Sequence, residues 1–249
     1  MQIEGAVRSA FAHVLSLSES HSSNGKFVGL PSVSSQPTMN QMLRNRVDPW
    51  GQLHAVSDRG TLMGNRGVLH NAENHIIRPW AHKSWVTCLL SYKDIKRPKP
   101  FSAGNYSELF FLDEATAFSA GHRPCNYCQR ERSQLFKAAW LQANAPSSRP
   151  SDFSLSEIDA QLHKERAVRG GAKVAYQESV AMLPLGAMFA HAGTTYLVGT
   201  NGHSPWSFGG YGPAIEMDPA TQVSVLTPKS IVSAFARGFQ PHVHPSAKG

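Results

Sequence analysis

The residues whose types can do chemistry fall into four groups. The first is basic and amide-bearing: Arg44-Asn-Arg46 precedes Pro49-Trp50-Gly51, and Arg59 precedes Gly64-Asn65-Arg66-Gly67. A guanidinium forks onto phosphate, and an Asn amide reads a base edge or orients a water. Glycines on both sides of Asn65-Arg66 suit a tight turn that presents both side chains. Taken alone, a turn with a solvated Arg explains the pair equally well. Arg44, Arg46, Arg59, Arg66 and Arg78 within thirty-five residues weigh toward an anion.

The second group is Glu108-Leu-Phe-Phe-Leu-Asp113-Glu114, an apolar run delivering acids to a strand–helix junction. Burial raises a carboxyl pKa and a helix N-terminus lowers it, the opposed forces that tune a carboxylate to stabilise a cation or activate water. Asp113 as a helix cap and Glu114 as a first-turn charge account for the same residues. The third group is His122-Arg-Pro-Cys125-Asn-Tyr-Cys128. Its CxxC supplies two ligands where a structural zinc takes four. Cys88 is a candidate third and His122 or His70 a fourth, but Cys88 reads as an inward strand residue. The pair is therefore expected to be packed, metal-free thiols, with no cofactor and no redox role. The fourth group is aromatic: Trp50, Trp80, Trp85, Trp206, Phe208 and Tyr211. Such rings stack on bases or sugars, although most serve the core. The glycine-rich 206–212 segment, with Asn201 and His203 upstream, reads as a pocket wall.

These groups need a scaffold. The chain has 249 residues, 41% hydrophobic and 16% charged, ample for a core and too polar for a membrane protein. Three cysteines exclude a disulfide framework and suit a reducing cytoplasm. The first residues lack a secretory layout, so the expected location is cytoplasmic. Residues 42–142 carry fourteen Lys/Arg against eight Asp/Glu, whereas 143–249 carry eight against seven. A basic surplus confined to one block suits a polyanionic partner.

Periodicity predicts helices over 2–17, 113–121, 126–144, 154–168 and 228–238, with Leu135, Phe136, Ala139 and Trp140 as the buried stripe of the third. Strands are expected over 52–56, 67–70, 85–92, 107–112, 206–216 and 222–226, with a hairpin around Gly193. The expectation is an α+β fold with a mixed or antiparallel sheet and about five helices. Residues 1–41 read as an extension and linker, and 42–249 as one domain with a sub-boundary near 145–152.

The run Ala115-Thr-Ala-Phe-Ser-Ala-Gly-His-Arg-Pro-Cys-Asn-Tyr-Cys128 resembles the second half of the zinc-binding module of Ada-type DNA repair proteins, whose upstream cysteine pair has no counterpart here. That resemblance implies a local DNA-facing fold. Across 44–51, 59–67, 108–117 and 121–125 the chain is similar to a bacterial family that includes a phage-defence DNA glycosylase removing glucosylated hydroxymethylcytosine. The resemblance implies base excision from double-stranded phage DNA, leaving an abasic site. The lack of a long apolar run leads to the expectation of no membrane, and no obligate protein partner is expected. Under that reading Arg44, Arg46, Arg59, Arg66, Arg78, Arg123 and Arg130 grip DNA. Asp113 is the carboxylate, Asn65 orients base or water, and Glu114 or Glu108 stands in for Asp113. Trp50, His203, Trp206 and Tyr211 wall the base and sugar pocket. The alternatives are a non-enzymatic module that binds modified DNA and a metal-dependent nuclease.

Overall fold

The computed structural model describes residues 42–249 except 94, 96–98, 150, 152 and 249. The helix expected at 2–17 and the linker lie outside the described residues. Those described belong to one compact α+β unit, Asn40–Gly249.

Two six-stranded sheets and four α-helices make up the unit. The first sheet contains β1 (Arg46–Val47), β2 (Leu53–His54), β3 (Leu62–Asn65), β4 (Val86–Leu89), β5 (Leu109–Phe111) and β6 (Arg123–Pro124), in the order β2-β1-β5-β3-β4-β6. It is mixed: β1 runs parallel to β5 and β4 parallel to β6, while the other pairs are antiparallel. The second sheet contains β7 (Tyr176–Ser179), β8 (Met188–His191), β9 (Thr194–Gly199), β10 (Gly202–Ser207), β11 (Gly210–Tyr211) and β12 (Gln222–Val225), in the order β11-β10-β9-β8-β12-β7, all antiparallel. The expected hairpin around Gly193 joins β8 to β9.

The helices are α1 (Glu114–Ser119), α2 (Arg130–Asn144), α3 (Leu155–Arg166) and α4 (Lys229–Ala236). A reciprocal capping box between Ser154 and Glu157 starts α3. Phe118, Phe136, Trp140, Ile158, Leu162, Ile231 and Phe235 form one helical core, to which helices on both sides of 145–152 contribute. Each sheet has a cluster of its own. Ala115 joins Leu112, Met188, Leu197 and Tyr211 in a fourth, where the second sheet meets α1. Every residue of α1 is buried, so this short helix touches three of the four clusters.

Several expectations are corrected. Leu62–Asn65 is a strand paired on both sides, since Gly64 lies against backbone where a larger residue has no room. Residues 67–70 make only an isolated bridge from His70 to Ile76. Leu135 is 60% exposed, because the buried face of α2 runs through Ser133, Phe136, Trp140 and Leu141. Among the described residues no helix is long and apolar enough to cross a membrane.

The C-terminal end of α1 closes with a Schellman pair. Gly121 N–H donates to the Phe118 carbonyl at 2.8 Å and His122 N–H to the Ala117 carbonyl at 2.8 Å. Gly121 has φ +87°, and a Cβ there runs into the side chain of Arg166. Gly121→Ala is therefore expected to lower unfolding free energy by at least about 1–2 kcal/mol, the left-handed penalty alone, as measured by urea denaturation with m unchanged.

Candidate functional site

The sequence-nominated carboxylates are bound up in the scaffold. Asp113 caps α1: its Oδ1 accepts from Thr116 N–H at 2.8 Å and Thr116 Oγ1 at 2.7 Å. Its Oδ2 accepts from the Tyr211 hydroxyl at 2.8 Å and His244 N–H at 2.9 Å. Burial pushes the Asp113 pKa up, and these four donors pull against it. Glu114 takes Arg132 at 3.0 Å (Nε to Oε1) and 2.5 Å (Nη2 to Oε2), and His242 N–H at 2.8 Å. Glu108 accepts from Phe101 N–H at 2.9 Å. All three are buried.

The other nominated residues divide between several places. Arg123 is buried and forks onto Asp159 at 2.8 and 2.7 Å, so it reaches no phosphate. Arg46 and Arg59 line a cavity of about 410 Å³ against Pro100 and Phe110. Arg130 is exposed at the start of α2. Asn65 ends β3 and accepts from Gly67 N–H at 3.3 Å. Trp206 donates to Thr116 Oγ1 at 3.0 Å, and Tyr211 is spent on Asp113. His203 packs edge-on to Phe189. The proposed wall of Trp50, His203, Trp206 and Tyr211 is thus not assembled. A larger cavity, about 600 Å³, lies between β9 and residues 240–247, with His242 as its one ionisable lining residue.

What does assemble is a cavity of about 400 Å³ at the edge of the first sheet. Arg44, Arg66, Arg78, Arg166 and Lys173 line it, together with Trp50, Trp80 and Trp85, and among the described residues no acidic side chain does. Trp85, just before β4, is sandwiched: the Arg66 guanidinium carbon lies 4.2 Å and that of Arg166 4.1 Å from its ring centroid. Such contacts gain strength once desolvated. Arg66 Nη1 donates to the Gly51 carbonyl at 2.8 Å. Arg166, the last residue of α3, donates Nη1 to the Gly121 carbonyl at 2.6 Å and Nη2 to the Lys83 carbonyl. Lys173 Nζ donates to the Ser119 carbonyl. Two buried nitrogens, Arg66 Nη2 and Arg166 Nε, have no hydrogen-bond partner. Buried donors are normally paired, so these two carry an unrelieved desolvation cost.

Burial dominates the electrostatics. It lowers the Arg66 and Arg166 pKa values to about 9, so both remain cationic at neutral pH. Burial, reinforced by Arg66 and Arg166, lowers Lys173 to about 7. Asp48 offsets part of the effect at Arg66 and Lys173. That carboxylate is held by the Gln52 N–H at 2.9 Å and by His54 Nε2 at 2.8 Å. His122, wedged between Arg66 and Phe111, is pushed well below its ordinary value and stays neutral.

Sequence reasoning singled out Arg44, Arg66, Arg78 and the tryptophans, but missed Arg166, Lys173 and Asp48. The first two lie in the half of the chain with almost no charge surplus, and nothing local marks them. The cysteines form a second constellation: Cys88, Cys125 and Cys128 bring their sulfurs within 4.8 Å of one another. The expected isolated pair of packed thiols is therefore a triplet. A hydrogen bond with Cys88 lowers the Cys125 pKa to about 5 and is the largest cause raising that of Cys88. Neither His70 nor His122 joins them: His70 stacks on Phe101, and His122 sits beside Arg66.

No protein-family model, curated protein or solved structure matches the chain.

Lys173 gives the cavity a pH signature. Its folded pKa of about 7 lies below the ordinary value of 10.5, so between these values the folded state holds fewer protons than the unfolded state, and stability rises with pH. Lys173→Met should flatten that rise, as read by urea denaturation between about pH 6 and 8.5.

Proposed function

We propose that this protein acts on DNA by drawing a nucleotide out of the duplex into the Trp85 cavity, and that it breaks the N-glycosidic bond of a modified cytosine there. The observation that carries the reading is the cavity itself: five cations, three tryptophans, no lining acid and two unsatisfied guanidinium donors. Its volume, about 400 Å³, lies within the range of small-ligand pockets. Cations beside aromatic faces suit a ligand that is both anionic and planar, which a nucleotide is. Extrusion places the base where the duplex no longer covers its bond to the sugar.

The chemistry asks for three things. The sugar carbon gains positive charge as the bond to the base breaks, the base departs with the bonding electrons, and water then supplies the hydroxyl to that carbon and its remaining proton to the departed base. A carboxylate beside the sugar and cations beside the departing base lower the energy of that charge separation. Asp48, which stands outside the lining, replaces Asp113 as the proposed carboxylate: it acts through space on Arg66 and Lys173, while Asp113 is taken up by four donors. His54 orients it. Arg66 and Arg166 face the departing base or its phosphate. The setting proposed is the cytoplasm, in defence against phage DNA, and this element rests on the resemblance in sequence alone.

A second reading, a module that binds modified DNA without cleaving it, is favoured by one observation: no carboxylate lines the cavity directly. Alkali treatment after incubation separates the two. With EDTA present, alkali-dependent breaks confined to duplex bearing glucosylated hydroxymethylcytosine are the expected result. Asp48→Asn is expected to reduce break formation at least about 100-fold while leaving retention of the duplex within about threefold, the signature of an interaction made only in the transition state. Retention without breaks supports the binding module. Breaks before alkali indicate a nuclease or a coupled lyase, and neither breaks nor retention overturns both readings.

A further inference from the structure

We infer that Cys88, Cys125 and Cys128 form a zinc(II) site of three thiolates, separate from the Trp85 cavity and independent of the function proposed for it. The three sulfurs come from two distant stretches of chain. Cys88 belongs to β4, and Cys125 and Cys128 to the turn between β6 and α2. Their mutual approach within 4.8 Å is the property that matters. Zinc–thiolate bonds of ~2.3 Å place the sulfurs of one tetrahedron about 3.8 Å apart, so small side-chain rotations bring all three to one ion.

The backbone around the triplet is arranged for thiolates. Tyr127 N–H points at Cys125 Sγ at 3.4 Å, so the turn between the two cysteines directs an amide at sulfur. The turn is itself tied to β4: Cys125 N–H donates to the Thr87 carbonyl at 2.9 Å, and the Gln129 side chain donates to the same carbonyl at 2.9 Å. Backbone hydrogen bonds thus fix the register of the CxxC turn beside the residue preceding Cys88, leaving no slack that an ion has to take up. Cys128 is buried and Cys88 and Cys125 are half-buried, so an ion held here has one side toward solvent. No His, Asp or Glu joins the group among the described residues. The described residues thus fix three ligands of the site, all of them thiolates. A site of this kind clamps β4 to the start of α2.

Borderline-soft zinc suits an all-sulfur set better than magnesium or calcium, which take oxygen. The experiment uses the full chain purified under reducing conditions. Metal analysis should find about one zinc per chain, and the thiol-reactive mercurial p-hydroxymercuribenzoate should release it. Exchange with cobalt(II) should give thiolate-to-cobalt charge-transfer absorbance with the intense visible bands of tetrahedral cobalt. X-ray absorption on the zinc protein should report three sulfurs bound to the ion. Cys88→Ser and Cys125→Ser should each reduce the charge-transfer intensity. Protein that holds no zinc and gives no charge-transfer band with added cobalt would overturn the inference. So would full zinc retention in the Cys125→Ser/Cys128→Ser double variant, or a Cys125–Cys128 disulfide in protein kept anaerobic. The wild-type cobalt spectrum decides the matter even where a serine variant fails to fold.

Discussion

Satisfying the two ends of a fully buried helix organises much of this molecule. α1 has six residues, all enclosed, so water cannot serve the backbone groups that its ends leave unpaired. At the N-terminal end Asp113 takes Thr116 N–H and is held by Tyr211 and His244, so one carboxylate joins the first sheet, the second sheet and the C-terminal segment. At the other end the Schellman pair serves two carbonyls, and Lys173 and Arg166 serve those of Ser119 and Gly121. Negative charge at one end and positive charge at the other is also the arrangement the helix dipole favours.

A consequence reaches the cavity. Lys173 and Arg166 are drawn inside by carbonyls, and Arg66 by the Gly51 carbonyl, so three cations share a poorly solvated place, with Asp48 as counter-charge to Arg66 and Lys173 and Asp159 as counter-charge to Arg166. Cations buried together are costly, and the lowered pKa values record that cost. Under the proposed function, an anion in the cavity would offset that cost. The sandwich of both guanidiniums on Trp85 holds the donors in place before any ligand arrives.

The sequence made local structure legible wherever the determinant was local. The capping box at Ser154, the Asp113 cap, the Gly193 hairpin and the helical stripe of Phe136 and Trp140 are each written in a few neighbouring residues. β3 was obscured because glycines on both sides of Asn65-Arg66 read as a turn, whereas Gly64 is required by close backbone approach. The residues of the site were half legible. Arg44, Arg66 and Arg78 announce themselves as a basic cluster, but Arg166 and Lys173, which share the cavity with Arg66, arrive from about a hundred residues away, at the end of α3 and beyond it. Asp113 looked chemical for the same reason that it is structural: an acid at a buried helix start meets opposing forces in either role. Cys88 could be placed with the CxxC only once β4 and β6 were seen to lie side by side.

The most direct measurement is a crystal structure of the protein with a short phosphodiester oligonucleotide, grown near pH 6.5 where Lys173 is largely protonated. The prediction is a phosphate or base acceptor within hydrogen-bond distance of Arg66 Nη2 and Arg166 Nε, with a base ring against Trp50 or Trp80. An oligonucleotide seated elsewhere, on Arg46 and Arg59 or along α2 by Arg130, with the Trp85 cavity left to water, would contradict it.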